Sequence, residues 1–193
     1  MRYSEGHKQE TRERVVKVAA RALRAKGPDR LGVAEVMAQA GLTHGGFYAH
    51  FKSKDDLLAA AVEEAFRQGR NLWLRSTEER PGIEGLARYI ENYVSEAHRD
   101  RIDTGCPIAA LGAEFARTET EAGRIFAQNL DRLLGVIAER VPGETEASRK
   151  GLAASVFAEM MGSVLLSRAL SDRQASNQIL AAARDSLKAR IGA

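Results

Sequence analysis

The chain has little of what marks secreted or membrane-spanning proteins. Its 193 residues include one cysteine, which excludes an intrachain disulfide and favours a reducing compartment. No run approaches the roughly 18 apolar residues that a membrane-spanning helix needs, and residues 1–8 hold no apolar segment typical of a signal peptide. These absences predict a cytoplasmic protein with no membrane partner.

Strand-like patterns are also missing. No useful stretch alternates apolar and polar residues, whereas apolar residues such as Val15, Ala19 and Leu23 recur at helical spacing along almost the whole chain. Breaks with glycine and proline fall near residues 27, 81 and 142. The sequence therefore predicts an all-α fold of about nine helices. Their expected positions are residues 8–26, 33–40, a short helix after 43, a long one from 53 past 73, then 83–97, 107–115, 125–141, 145–170 and 172–190.

Charge is unevenly distributed along the chain. The formal net charge is +3, yet residues 1–54 hold 11 Lys and Arg against 5 Asp and Glu, while residues 55–193 hold 18 against 21. A basic N-terminal quarter on a mildly acidic body indicates an anionic partner at one end. A solvated charged face is the alternative, and charge alone does not decide between the two.

The most informative segment lies between residues 33 and 58. A short helix ends at Gly41, Thr43 is placed to cap a second one that turns Phe47 and Phe51 inward, and Ser53 begins a long third. A helix, a tight turn with glycine and a short aromatic and basic helix follow the order of a helix-turn-helix, whose second helix enters the DNA major groove.

The second helix of this segment starts with residues suited to reading bases. His44 lies at its N-terminal end, where recognition helices meet base edges. Gly45 and Gly46 allow close approach of the backbone to the duplex, at a cost of about 1 kcal/mol each in helix stability. A frayed loop is the alternative explanation for the two glycines.

Phosphate contacts are expected from the side chains that follow. Tyr48 and His50 can donate hydrogen bonds to phosphate oxygens, and Lys54 adds a charge at the next helix start. The alternative is a small aromatic core with surface histidines. A metal site is not expected, because His44 and His50 are not spaced as a helical ligand pair and no Cys or carboxylate triad accompanies them.

Residues 34–58 (AEVMAQAGLTHGGFYAHFKSKDDLL) resemble the DNA-binding signature of the TetR/AcrR family of bacterial repressors. The strongest points are the Phe-Tyr-x-His-Phe-x-Ser-Lys run and the Gly-Leu-Thr turn, and the likeness extends over about residues 10–60. Beyond it, only helix number and order agree. The resemblance implies a homodimer on a palindromic DNA operator, with a DNA-binding domain over residues 1–54 and an effector-binding and dimerisation domain over residues 55–193.

The resemblance also assigns roles by position. Those that match the family's phosphate contacts are Thr43, Tyr48, His50 and Lys54. Those that match its base-reading positions are His44, Gly45 and Gly46. One departure is Gly32, which stands where members often carry a Thr or Ser that caps the helix and touches phosphate.

In this family the body binds a small effector that moves the DNA-binding heads out of register with the operator. No cofactor is expected, and the sequence does not name the effector. The candidate effector-binding side chains are Trp73, Tyr93, His98, Cys106, Phe115, Phe126 and Met160. Aromatic and methionine side chains at helical spacing are more often core than pocket.

Cys106 is the candidate with its own chemistry. Because Pro107 follows it, we expect it at a helix N-terminus, which together with Arg99 and Arg101 is expected to lower the pKa of its thiol. The Gly-Cys-Pro run also resembles one in TetR-type subgroups thought to sense reactive compounds through this thiol. The hypothesis is an electrophilic or oxidising effector, and the alternative is a small packing residue.

Two helices near residues 145–190 are predicted to form the dimer surface, as half of a four-helix bundle. The apolar residues assigned to it are Val156, Phe157, Met160, Val164, Leu165, Ile179, Leu180, Ala183 and Leu187. Two other functions remain open: a thiol-dependent enzyme that uses Cys106 and His98, and a helical interaction module that no longer binds DNA. No nucleophile motif or phosphate loop supports an enzyme, so no catalytic residue is assigned.

Overall fold

The computed structural model describes residues 5–193, and this part of the chain contains nine α-helices, two short 3-10 helices and no strand. The all-α prediction is confirmed. Residues 1–4, part of the segment in which no signal peptide is expected, lie outside the described residues. The α-helices are α1 (Glu5–Lys26), α2 (Val33–Gln39), α3 (Lys54–Thr77), α4 (Gly82–Tyr93), α5 (Glu96–Asp100), α6 (Pro107–Phe115), α7 (Glu121–Ala138), α8 (Glu146–Ala169) and α9 (Arg173–Ile191).

Side-chain caps fix the starts of the long helices. Ser53 Oγ accepts a hydrogen bond from the Asp56 backbone N–H at 3.1 Å, which begins α3 where the sequence predicts it. Thr145 and Asp172 cap α8 and α9 in the same way. Each cap satisfies a backbone N–H that the first helical turn leaves unpaired.

Two local predictions were wrong. The helix expected after Thr43 is a 3-10 helix (His44–Ala49), and the Thr43 side chain makes no capping hydrogen bond. The helix expected over residues 83–97 ends at Tyr93, because Ser95 is extended and its hydroxyl accepts the His98 N–H, starting α5. A serine offers the backbone an alternative to continuing a helix, so Ser95 was the signal that periodicity alone overlooked.

The N-terminal helices rest on the body through a common core. α1 packs along α3, α3 packs on α4 and α7, and α8 pairs with α9. Buried apolar side chains form one cluster that extends from Leu23 and Leu57 to Ile90, Val156 and Leu180. A conformational change in the body can therefore be transmitted through packed side chains to the DNA-binding end.

Helix α8 corrects the expectation that no stretch is apolar enough to cross a membrane. By length and composition alone it could, since an 18-residue window has a mean hydropathy of 1.3. It packs against α7 and α9, and Val156, Met160 and Val164 are buried in the protein interior. A core helix meets the same criteria, so the finding is weak evidence for a membrane span.

The structure also changes which apolar residues of α8 and α9 are available for the predicted dimer surface. Most are buried inside the protomer: Val156, Phe157, Met160, Val164, Leu180, Ala183 and Leu187. The exposed apolar residues lie towards the end of α8, where Leu165, Leu166 and Leu170 are 42%, 60% and 40% exposed. Periodicity identified apolar faces correctly but assigned core residues to the surface.

Candidate functional site

A small aromatic cluster supports the 3-10 helix from below. Phe47 and Phe51 are buried, as the sequence predicts, and their rings stack with centroids 5.5 Å apart. The Arg12 guanidinium of α1 lies 4.9 Å from the centroid of the Phe51 ring. The cluster ties α1 to the second helix of the helix-turn-helix.

The turn before this helix depends on Gly41. Its φ of 75° lies in the left-handed region that favours glycine. The Gly41 and Leu42 N–H groups donate to the carbonyls of Ala38 and Met37 at 3.0 and 2.9 Å, which closes α2. The glycine break predicted from the sequence is confirmed.

The residues assigned to base reading lie on the accessible side of the head. His44 and Gly45 are exposed, and Gly46 is half-buried. A Cβ atom at Gly45 would meet nothing within 4 Å, and one at Gly46 would make only an ordinary contact, 3.7 Å from Met37 Cε. Packing within the head therefore does not require glycine at either position, which leaves an external surface as a reason for both.

The residues assigned to phosphate surround this helix. Tyr48 is 74% exposed, and Thr43 and Lys54 are exposed as well. Lys54 Nζ lies 3.5 Å from the Asp29 carbonyl, a contact at the limit of a hydrogen bond. Gly32 begins α2 with no side-chain cap, so the departure from the family pattern noted above is present in the structure.

His50 differs from the other members of this surface because it is half-buried. Burial, followed by the nearby charges of Lys8 and Arg12, lowers its pKa from the ordinary histidine value. Its Nδ1 atom is buried and has no hydrogen-bond partner within residues 5–193. At neutral pH His50 therefore offers hydrogen bonding rather than a full positive charge.

A pocket of about 770 Å³ lies in the body among α3, α4, α7 and the segment from α5 to the start of α6. Buried aromatic rings form its apolar wall: Trp73 meets Tyr89 edge-on at 4.9 Å, and Tyr89 lies 5.8 Å from Tyr93. This volume is typical of sites for small organic ligands.

Four predicted effector residues line the pocket: Trp73, Tyr93, His98 and Cys106. The other three do not. Phe115 stacks on Phe126 at 5.0 Å, Phe126 meets Phe66 edge-on at 5.2 Å, and Met160 is wholly buried. Helical periodicity marks all seven as inward-facing but does not separate the pocket wall from the core behind it.

The expected lowering of the Cys106 pKa was wrong. Cys106 does stand at the N-terminus of α6, but burial raises the pKa of its thiol. The Tyr93 hydroxyl, the backbone at Ala109 and Ile108 and the charge of Arg168 oppose this shift without overcoming it. Desolvation outweighs the helix terminus, so the thiol is protonated at neutral pH.

Arg99 also fails to supply the positive charge expected beside Cys106. Its buried guanidinium donates hydrogen bonds to Ser176 Oγ at 2.8 Å and Asn177 Oδ1 at 2.6 Å, and it pairs with Asp100 at 2.9 Å. Arg99 therefore fastens α5 to α9 and is structural.

His98 holds the backbone that carries Cys106. His98 Nε2 lies 2.9 Å from the Cys106 backbone N, and Nδ1 lies 2.7 Å from the Tyr93 carbonyl oxygen. A backbone N–H only donates, so Nε2 accepts and the proton of the neutral ring resides on Nδ1. Gly105 allows this approach, because a Cβ there would fall 2.8 Å from the ring. The acceptor nitrogen is thus unavailable to deprotonate the thiol, which removes the pairing assumed for a thiol enzyme.

Acid is expected to destabilise the protein through His98. Burial lowers the His98 pKa to about 4, whereas the unfolded value is near 6.5, so the unfolded state binds more protons between these values. The free energy of unfolding should be fully retained above pH 6.5 and fall by on the order of 3 kcal/mol as pH approaches 4. Urea titrations at pH 7 and pH 4.5 measure this. His98→Gln should flatten the dependence and His44→Gln, at an exposed histidine, should not; equal slopes in all three proteins would contradict it.

A buried arginine connects α1 to the pocket wall. Arg24 Nε donates to the Asp103 carbonyl at 2.6 Å, and Nη2 donates to Gln68 Oε1 at 2.7 Å. Gln68 lines the pocket, and Asp103 belongs to the 3-10 helix Ile102–Thr104 that precedes Cys106. Burial lowers the Arg24 pKa to about 10, which leaves the guanidinium charged at neutral pH.

An all-helical chain with an exposed helix-turn-helix on a body that encloses a small-molecule-sized pocket has the architecture of a DNA-binding transcriptional regulator. Comparison with known proteins agrees. Residues 15–61 match the family described as bacterial regulatory proteins, tetR family. Residues 15–61 therefore carry the DNA-binding region of this family, and the comparisons support a DNA-binding regulator of transcription rather than an enzyme.

Relatives extend the likeness over the whole chain. An uncharacterized HTH-type transcriptional regulator of Mycobacterium tuberculosis is 28% identical over 187 residues, covering 88% of this chain and 94% of that protein. The HTH-type transcriptional regulator AcrR of Shigella flexneri is 32% identical over 97 residues, or 47% and 45% of the two chains. A TetR transcriptional regulator from Chloroflexus aurantiacus superposes with a TM-score of 0.82 at 25% identity, covering 96% of each chain.

Proposed function

We propose that the protein is a cytoplasmic, ligand-responsive repressor that binds a palindromic operator as a homodimer and leaves it when a small molecule fills the pocket. The observation that carries the proposal is the contact made by Arg24, which joins a helix of the DNA-binding head to the wall of a 770 Å³ pocket. Residues 1–54 form the DNA-binding domain and residues 55–193 the effector-binding and dimerisation domain in this proposal.

On the DNA, His44 reads base edges while Gly45 and Gly46 allow close approach of the backbone. The proposed phosphate contacts are Thr43, Tyr48, His50 and Lys54. Exposure of most of this surface, and the absence of an internal packing reason for either glycine, support the assignment.

The dimer is proposed to form through α8 and α9. The exposed Leu165, Leu166 and Leu170 supply apolar surface that the protomer does not bury. Pairing with a second copy would cover them within a four-helix bundle. Sedimentation at micromolar concentration should give twice the mass of the 21.1 kDa chain, and a monomer would contradict the proposal.

The effector is proposed to bind reversibly. A thiol-reactive effector is disfavoured at rest, because the thiolate is the nucleophilic form and burial raises the Cys106 pKa. The apolar wall formed by Trp73, Tyr89 and Tyr93 suits non-covalent binding instead.

Two substitutions in the head are expected to have different effects on DNA binding. His44→Ala should relax preference at one base position of each half-site, by about 1–3 kcal/mol, because a base-edge contact is lost. Lys54→Ala should weaken all sequences alike and reduce the salt dependence of the affinity by about one phosphate contact. Selection of random DNA fragments on each purified protein, followed by sequencing, measures the preference.

The same selection tests the proposed function with the unmodified protein. Recovery of a palindrome whose half-sites lie about one duplex turn apart supports a dimeric regulator. Enrichment of no sequence by a folded protein would reject the operator. Uniform weakening by His44→Ala together with a changed base preference in Lys54→Ala would reverse the two assigned roles.

A further inference from the structure

The pocket carries an excess of unpaired positive charge. Four arginines contribute to its lining, and Glu139 is its single acidic residue; the arginines are Arg70, Arg75, Arg101 and Arg132. Within residues 5–193, none of the four has an ion-pair or hydrogen-bond partner for its side chain, whereas Arg67, Arg88, Arg124 and Arg190 are each paired with a glutamate. All four are exposed, so they lie at the accessible side of the pocket.

Free guanidinium groups beside a pocket favour an anion. Arginine presents planar N–H donors that match a carboxylate in two parallel hydrogen bonds, and it remains charged at any physiological pH. The arginines come from different elements: Arg70 and Arg75 from α3, Arg132 from α7, and Arg101 from the end of α5. A cationic ligand would be repelled by this excess of positive charge, and a neutral ligand would form no ion pair with it.

The deep part of the pocket has different chemistry. Tyr93 is 1% exposed and lines the pocket, and within the described residues its hydroxyl has only the Cys106 thiol, a weak partner, within hydrogen-bonding reach. A buried hydroxyl without an oxygen or nitrogen partner is poorly satisfied, and a ligand oxygen placed there would accept its hydrogen bond. The Trp73 and Tyr89 rings beside it provide an apolar surface for the body of the ligand.

We propose that the effector is an amphipathic anion with an aromatic or other apolar body, one carboxylate-like group at the arginines and a hydrogen-bond acceptor at the Tyr93 hydroxyl. The proposal rests on the proposed function in treating this pocket as the effector site. It adds the chemical class of the ligand, which the family relationship leaves open.

Three probes that differ only in the head group test the charge preference. These are 4-phenylbutanoate, the neutral 4-phenylbutanamide and the cationic 4-phenylbutylamine. Trp73 is the single tryptophan of the chain and lines the pocket, so its fluorescence reports occupancy directly, with calorimetry as a second measurement. The anion should bind at least tenfold more tightly than the amide, the amine most weakly, and added salt should reduce the advantage of the anion.

Variants locate the two recognition groups. The double substitution Arg101→Gln and Arg132→Gln should remove the anion preference and leave amide affinity unchanged, while Arg117→Gln, at an exposed arginine outside the pocket lining, should change neither. Probing with 4-(4-hydroxyphenyl)butanoate should give tighter binding than 4-phenylbutanoate. Tyr93→Phe should abolish this difference, and Tyr48→Phe, at an exposed tyrosine outside the pocket lining, should retain it.

Equal affinity for the three head groups, tighter binding of the amine, or no binding of any probe by folded protein would overturn the proposal. All measurements are made without DNA. If the anion binds as expected but does not release the operator, the proposed switch fails while the ligand class stands. If the operator is bound and the anion preference is missing, the ligand class fails alone.

Discussion

Replacing Phe51 with alanine is expected to abolish operator binding while the pocket in the body still binds a ligand. Phe51 is 2% exposed, stacks on Phe47 and carries the Arg12 guanidinium over its ring. Truncating a buried phenylalanine costs about 3–5 kcal/mol, a large share of the 5–15 kcal/mol that stabilises a typical domain. The head is small, so it has little further apolar burial to compensate.

Fluorescence anisotropy with labelled operator measures DNA binding by the head, and Trp73 fluorescence with 4-phenylbutanoate measures ligand binding in the body. Tyr48→Ala is the matched control, because it truncates a neighbouring aromatic that is 74% exposed. That variant should lose operator affinity without a lower thermal midpoint. If Phe51→Ala also destroys the Trp73 response, the division into residues 1–54 and 55–193 fails, and the continuous core unfolds as one unit.

The head could be predicted from the sequence because its signals are local. Gly41 ends one helix, Ser53 starts another, and the spacing of Phe47 and Phe51 places both on the inner side. Each effect acts within a few residues, where spacing along the chain determines contact. The conformation of the short helix between them, 3-10 rather than α, and the absence of a Thr43 side-chain cap were not apparent.

The pocket could not be predicted in the same way, because it is formed by residues far apart in the chain. Cys106 illustrates the limit. Its position at a helix N-terminus was correct, but the sign of its pKa shift is set by burial against other elements. The unpaired arginines gave no signal at all, since a charged residue on an exposed helix face is the ordinary expectation.

The dimer-surface prediction for most apolar residues of α8 was wrong for a related reason. Periodicity shows which residues share a helix face but not whether that face is covered by the same chain or by a second copy. Val156 and Met160 are covered by this chain, whereas Leu166 is not. Assigning an interface from sequence therefore requires knowing how much of α8 the protomer already buries.

Arg24→Met is expected to uncouple the pocket from the DNA-binding head. Arg24 holds Gln68 of the pocket wall and the Asp103 carbonyl through hydrogen bonds of 2.7 and 2.6 Å. A ligand that displaces either group must therefore move α1 or break these bonds. Methionine keeps much of the side-chain volume and removes the charge, and because the Asp103 carbonyl and Gln68 Oε1 each lose a donor, the variant should lose about 1–3 kcal/mol of stability and stay folded.

The quantity to measure is the ratio of operator affinities without and with saturating 4-phenylbutanoate, together with the thermal midpoint. In Arg24→Met this ratio should fall tenfold or more towards one. The operator affinity in the absence of ligand should be retained, because the head stays folded. Arg21→Met, at an exposed arginine one turn earlier on α1, is the control and should keep the ratio of the unmodified protein. A variant that loses stability and operator affinity but keeps the ratio would show that Arg24 serves packing alone. By reciprocity, coupling through Arg24 also requires operator DNA to weaken ligand binding in the unmodified protein and to have little effect on it in Arg24→Met.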